Sequence, residues 1–86
     1  MNIFDLNTQW SLFLERSGVS EAKMPEDQRR EMKRAFMGAC GQMLLLLRDD
    51  VSVFPEEKAA GICQKMLDQV GAFWQNEVDK HDGKLN

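Results

Sequence analysis

CGQMLLLLRDDVSVFPEEKAAGIC, residues 40–63, begins and ends with the only two cysteines of the chain. Its midpoint falls between Val51 and Ser52, inside a polar interruption that closes with Pro55. To the left, MLLLL is rich in good helix formers. To the right, Pro55 followed by Glu56 and Glu57 is a helix start: proline fits the first turn, and acids suit the positive end of the helix dipole. The stretch therefore reads as the turn of a helical hairpin. A connection of about five residues makes consecutive helices lie antiparallel, so positions equidistant from the turn share a level. Cys40 then lies level with Cys63, Phe36 with Leu67 and Met32 with Gly71. The symmetric cysteines follow from the hairpin itself.

Working outward, Pro25 with Glu26 and Asp27 repeats the same start signal and opens helix 2, expected over residues 25–49. Met32, Ala35, Phe36, Ala39, Met43 and Leu46 form a narrow apolar stripe at helical spacing. From Met37 onward the stripe widens to include Cys40, Leu44 and Leu47, with Leu45 on the far side. A helix apolar over most of its circumference expects neighbours on several sides. Arg48, Asp49 and Asp50 are expected to end it. Helix 3 is expected over 55–80, with a broad face of Ala59, Ile62, Cys63, Met66, Leu67, Val70, Phe73, Trp74 and Val78. GKLN, residues 83–86, reads as a frayed tail. Upstream, Ile3, Leu6, Trp10, Phe13, Leu14 and Ser17 share one face of a shorter helix 1, about residues 5–17, which Gly18 is placed to end. Leu12 projects almost opposite that face, and residues 18–24 form a connector.

The totals agree with one small all-α domain spanning residues 1–86. Hydrophobic residues at 43% and charged residues at 29% suit a folded globular chain rather than a disordered one. Tyrosine is absent and both prolines stand where helices begin, which favours helix over sheet. The net charge of −3 and pI near 5.0 give no general attraction to nucleic acid or to anionic membranes. The longest apolar run, residues 43–47, is far too short to span a bilayer, and MNIFDLNTQW lacks the basic start of a signal peptide. A cytoplasmic protein with reduced thiols is the expectation.

Few residues carry chemistry. Cys40 and Cys63 sit among Gly, Ala, Ile, Leu and Met, without the positive charge that activates a thiol, so inert buried thiols are preferred to a redox switch. Glu77 and His81 stand one helical turn apart, but two groups fall short of the usual four-ligand zinc set. No metal or other cofactor is expected. Arg29, Arg30, Lys33 and Arg34 make one side of helix 2 basic, a possible surface for a polyanion or an acidic partner. Glu26, Asp27 and Glu31, at i,i+3 and i,i+4 spacing, argue instead for a solvated charged face. No nucleophile–base pair, phosphate loop or acid–base constellation is present, and no enzymatic activity is expected. Gly38 and Gly41 lie within helix 2, where each costs about 1 kcal/mol relative to Ala. Removing Cβ lets another helix approach, and with Leu12, Met37, Leu44 and Leu45 they outline an association surface. One short helix cannot cover two long apolar faces, so a dimeric helical bundle is the expected assembly. The functional expectation is a non-catalytic protein–protein interaction module, homodimeric and binding another macromolecule. The alternatives are a nucleic-acid-associated regulator using the basic face, or an accessory inhibitor protein of a virus or mobile element.

Overall fold

The structure is a computed structural model that describes the backbone of residues 2–85 and the side chains of residues 2–80. Three α-helices make up most of it: α1, Leu6–Ser17; α2, Glu26–Leu46; and α3, Glu56–Leu85. A 3-10 turn, Glu21–Lys23, lies in the first connector, and a π-helical turn, Leu47–Val51, continues α2. There is no strand among the described residues. The chain divides into two units, Met1–Leu45 and Leu46–Asn86.

In the first unit, α1 is sealed at both ends. The Asp5 carboxylate accepts the backbone N–H groups of Asn7 at 2.7 Å and Thr8 at 3.3 Å, satisfying two donors that the first turn leaves free. At the other end Gly18 takes φ +69°, a left-handed conformation that side chains resist. Its N–H donates to the Glu15 carbonyl and that of Val19 to the Leu14 carbonyl, both at 3.1 Å. This paired closure is the glycine-dependent helix stop expected of Gly18.

Trp10 and Leu14 are the buried side chains of α1, Trp10 with only 3% of its surface exposed. The Trp10 ring lies 5.4 Å from that of Phe36 on α2 and 6.0 Å from that of Phe13, while Phe13 and Phe36 are 5.3 Å apart. Such offset and tilted pairs add about 0.5–1.5 kcal/mol each beyond the area they bury. The cluster turns α2 away from the expected stripe. Met32, Phe36, Cys40 and Leu46 are half-buried as anticipated, but Ala35, Ala39 and Met43 are exposed, and Arg29, Lys33, Met37 and Gly41 are half-buried instead. Alanine offers little area to bury, so the large Phe36 ring decides which face turns inward.

In the second unit, Arg48, Asp49 and Asp50 do not simply end the helix; this corrects the sequence reading. They lie in the π turn, where the Ser52 N–H reaches back to the Leu47 carbonyl at 3.0 Å. No glycine between Gly41 and Pro55 can supply a left-handed stop, and two acids stand at the negative end of the dipole. The chain widens its last turn instead, and the Ser52 hydroxyl donates to the Arg48 carbonyl. Val51 is buried there. Arg48 binds Asp49 through two contacts, at 2.6 and 3.0 Å, which hold its guanidinium pKa above the ordinary value.

Both prolines stand immediately before their helices. The Pro25 carbonyl accepts from Arg29 N–H at 3.0 Å and that of Pro55 from Ala59 N–H at 2.9 Å. α3 continues to Leu85, past the end expected near Lys80, so its backbone includes most of the segment read as a tail. Asn86 lies outside the described residues. Side-chain bonds from Gln64 to Asp68 (2.9 Å) and from Gln75 to Asp79 (3.1 Å) brace α3 one turn at a time.

Trp10 Nε1 is buried with no hydrogen-bond acceptor among the described residues. An orphaned donor costs about 1–3 kcal/mol, so Trp10→Phe, which keeps most of the ring and removes the N–H, should change stability by less than about 1.5 kcal/mol. Trp10→Ala should lose about 3–5 kcal/mol. Urea unfolding of the two variants followed by circular dichroism distinguishes these outcomes.

Candidate interaction surfaces

The basic half of α2 is built from Arg29, Arg30, Lys33 and Arg34, which with Met37 line a shallow concavity of about 330 Å³. Most of this charge is already answered. Arg29 lies 3.6 Å from Glu21 and 3.4 Å from Glu26, Arg30 lies 3.7 Å from Asp27, and Arg34 lies 3.8 Å from Glu31. Lys33 is in no ion pair among the described residues. These pairs are long and solvent-exposed, so each contributes little to stability and a stronger anion could displace it.

Further along α2 the same side turns apolar. Arg29, Lys33, Met37 and Leu44 lie along it, as do Arg30, Arg34, Gly41 and Leu45 beside them. Met37 and Gly41 are half-buried, as is Leu12 of α1, whereas Gly38, Leu44 and Leu45 are exposed. A Cβ placed at Gly38 or Gly41 would meet nothing within 4 Å. Packing among the described residues therefore gives no reason for glycine at either place.

An open apolar surface lies where the sequence reading placed core. On α3, Ala59, Ile62, Cys63 and Met66 are half-buried, but every residue from Leu67 to Lys80 is exposed. Leu67, Val70, Phe73, Trp74 and Val78 each leave more than half their surface to solvent. The Phe73 and Trp74 rings meet edge to face at 5.1 Å. Periodicity identifies such a face but cannot say what covers it. The available signal was the mismatch between two long apolar helices and one short third helix.

Cys40 and Cys63 are free and half-buried. No group of three potential metal ligands occurs among the described residues, and the side chain of His81 lies outside them. No helix among the described residues is long and apolar enough to cross a membrane. Neither the known protein-family models, nor the curated proteins, nor the solved structures contain a match to this chain.

Replacing Arg29, Arg30, Lys33 and Arg34 together by Gln should leave the helix content unchanged and lower stability by no more than about 1–2 kcal/mol, since exposed pairs contribute about 0.2–0.5 kcal/mol each. Thermal melts of the two proteins test this. The half-buried thiols should react with a soluble alkylating reagent more slowly in the folded protein than in denaturant. Equal rates would place both sulfurs in open solvent.

Proposed function

We propose that this protein is a non-catalytic helical interaction module that self-associates and acts by binding another macromolecule. The observation that carries the reading is the imbalance between enclosed and open apolar surface. Only Trp10, Leu14 and Val51 are buried among the described hydrophobic side chains, whereas fifteen large ones are exposed. A domain of this size is already marginal because a small chain encloses a small share of its surface. Exposed apolar patches beyond a few hundred Å² mark association sites.

Self-association is the simplest remedy. With α2 and α3 as the arms of an antiparallel hairpin, two hairpins side by side form a four-helix core, the ordinary way for amphipathic helices to cover one another. Leu44 and Leu45 on α2 and the Leu67–Val78 face of α3 would then leave solvent together. The basic half of α2 would remain at the rim, where charge guides encounter and register more than it adds affinity. The net charge of −3 weighs against nucleic acid as the main partner, since the chain as a whole repels a polyanion.

Sedimentation at tens of micromolar should find a dimer. Leu45→Glu should weaken that dimer by roughly tenfold or more, because burying an unpaired charge at an interface is strongly unfavourable. Its helix content should hold where the protein remains concentrated. A parent chain that sediments as a monomer under these conditions would remove the proposal.

A further inference from the structure

Arg29, Lys33 and Met37 follow one another a turn apart along α2, and Arg30 and Arg34 form the row beside them. The concavity they line is the groove between two such rows, into which the ridge of another helix packs. One step further, the two rows reach Gly41 and Gly38. A Cβ at either would meet no atom within 4 Å among the described residues. The groove is therefore basic along most of its length and open beside Met37 at its far end. Every residue that lines it, and every carboxylate paired with one of them, belongs to the first unit.

The cations of this groove hold unused hydrogen-bonding capacity. A guanidinium carries several N–H donors in a planar fork. Its charge-assisted hydrogen bonds to carboxylates run about 2.7–2.9 Å. The contacts of Arg29, Arg30 and Arg34 with Glu21, Glu26, Asp27 and Glu31 span 3.4–3.8 Å, longer than that range. The Asp27 side chain, which faces Arg30, is 93% exposed, so water can take its place at little cost. Lys33 has no ion pair at all among the described residues.

We propose that this groove binds an acidic helical segment of a partner protein. Its carboxylates meet Arg29, Arg30, Lys33 and Arg34, and a large apolar side chain one turn beyond them rests on Met37 beside Gly41. This builds on the interaction-module reading above and names the chemistry of the macromolecule bound. Charge complementarity selects the acids, and the glycine-bounded end selects the apolar residue. A nucleic acid fits less well. The groove offers no aromatic side chain for base stacking, and a sugar-phosphate backbone has no apolar group to set against Met37. Nor can the face pair with itself about a twofold axis, since an isologous contact would set cation against cation.

The test uses the full chain and fluorescently labelled synthetic helices, followed by anisotropy. One helix carries Glu along one face with a Leu a turn beyond them. A second has Gln for each Glu, and a third has Ser for the Leu. The Glu and Leu helix should bind at low salt and lose affinity as salt rises. Replacing Arg29, Arg30, Lys33 and Arg34 together by Gln should weaken that binding by about tenfold or more, as should the Gln helix with the parent chain. The Ser helix should bind several-fold more weakly. Gly41→Leu, whose side chain leans back toward Met37, should keep the helical circular dichroism signal and also bind several-fold more weakly.

Equal binding of the Leu and Ser helices would show diffuse attraction between charges and overturn the proposal. A single-stranded oligonucleotide that binds as tightly as the Glu and Leu helix would overturn it in favour of nucleic acid. A parent dimer that falls apart in the Gln variant would show a second copy on this face and overturn it too. A parent that sediments as a dimer yet binds none of the helices would overturn this inference alone. A monomeric parent that binds the Glu and Leu helix would overturn self-association and leave this inference standing.

Discussion

The contact of Trp10 with Phe36, 5.4 Å between ring centres, joins α1 to α2, and the packing of the first unit follows from it. α1 is twelve residues long, near the length at which an isolated helix is marginal in water, so its persistence depends on what its apolar face touches. Trp10 and Leu14 supply that contact, while Asp5 and Gly18 satisfy the backbone groups at the ends. The cluster also decides the rotation of α2. Because Phe36 is the large side chain that meets α1, the residues beside it on the helix surface, including the stems of Arg29 and Lys33, are drawn partly out of solvent. A basic face and an aromatic core thus share one short stretch of helix.

Very little else is enclosed. Val51 is the buried side chain of the second unit among the described residues, and it lies in the π turn rather than on either long helix. π turns are rare because the wider ring makes poorer contacts across the helix axis. Here the alternative was a helix end with no glycine to close it and two acids at the unfavourable pole. The turn brings Ser52 back onto Leu47 and Arg48, and Phe54, just beyond it, receives the Lys58 ammonium 4.4 Å above its ring. Local polar and cation–π contacts therefore shape a junction that hydrophobic burial shapes only at Val51.

Signals confined to a few neighbouring residues were legible in the sequence. Asp5, Gly18, Pro25 and Pro55 act through their own backbone or side-chain geometry, and the helix boundaries they mark lie within a residue of those observed. The all-helical class followed from residue preferences that add up along each segment. The π turn was not legible, because it arises from the lack of a stop signal and not from a signal of its own. Nor was the exposure of Ala35 and Ala39: helical spacing marks an apolar stripe, but side-chain size decides which part of it makes contact. The same limit applies to Leu67–Val78. A periodic face reports that water is unfavourable there, and the pattern alone is identical for an intrachain and an intermolecular neighbour.

What separates those two cases is where local choices conflict with the rest of the chain. Foldable sequences agree across levels, and isolated disagreements concentrate where another requirement acts. Gly38, Gly41 and Gly71 weaken the helices that contain them, yet no atom among the described residues occupies the space a Cβ would take. Leu44, Leu45, Leu67 and Trp74 expose apolar surface where a solvated face would carry charge. A glycine alone could reflect tolerance, and an exposed leucine alone is common. When gaps and protrusions alternate along the same helix face, each makes sense of the other, because a missing side chain is useful only if something fills its place.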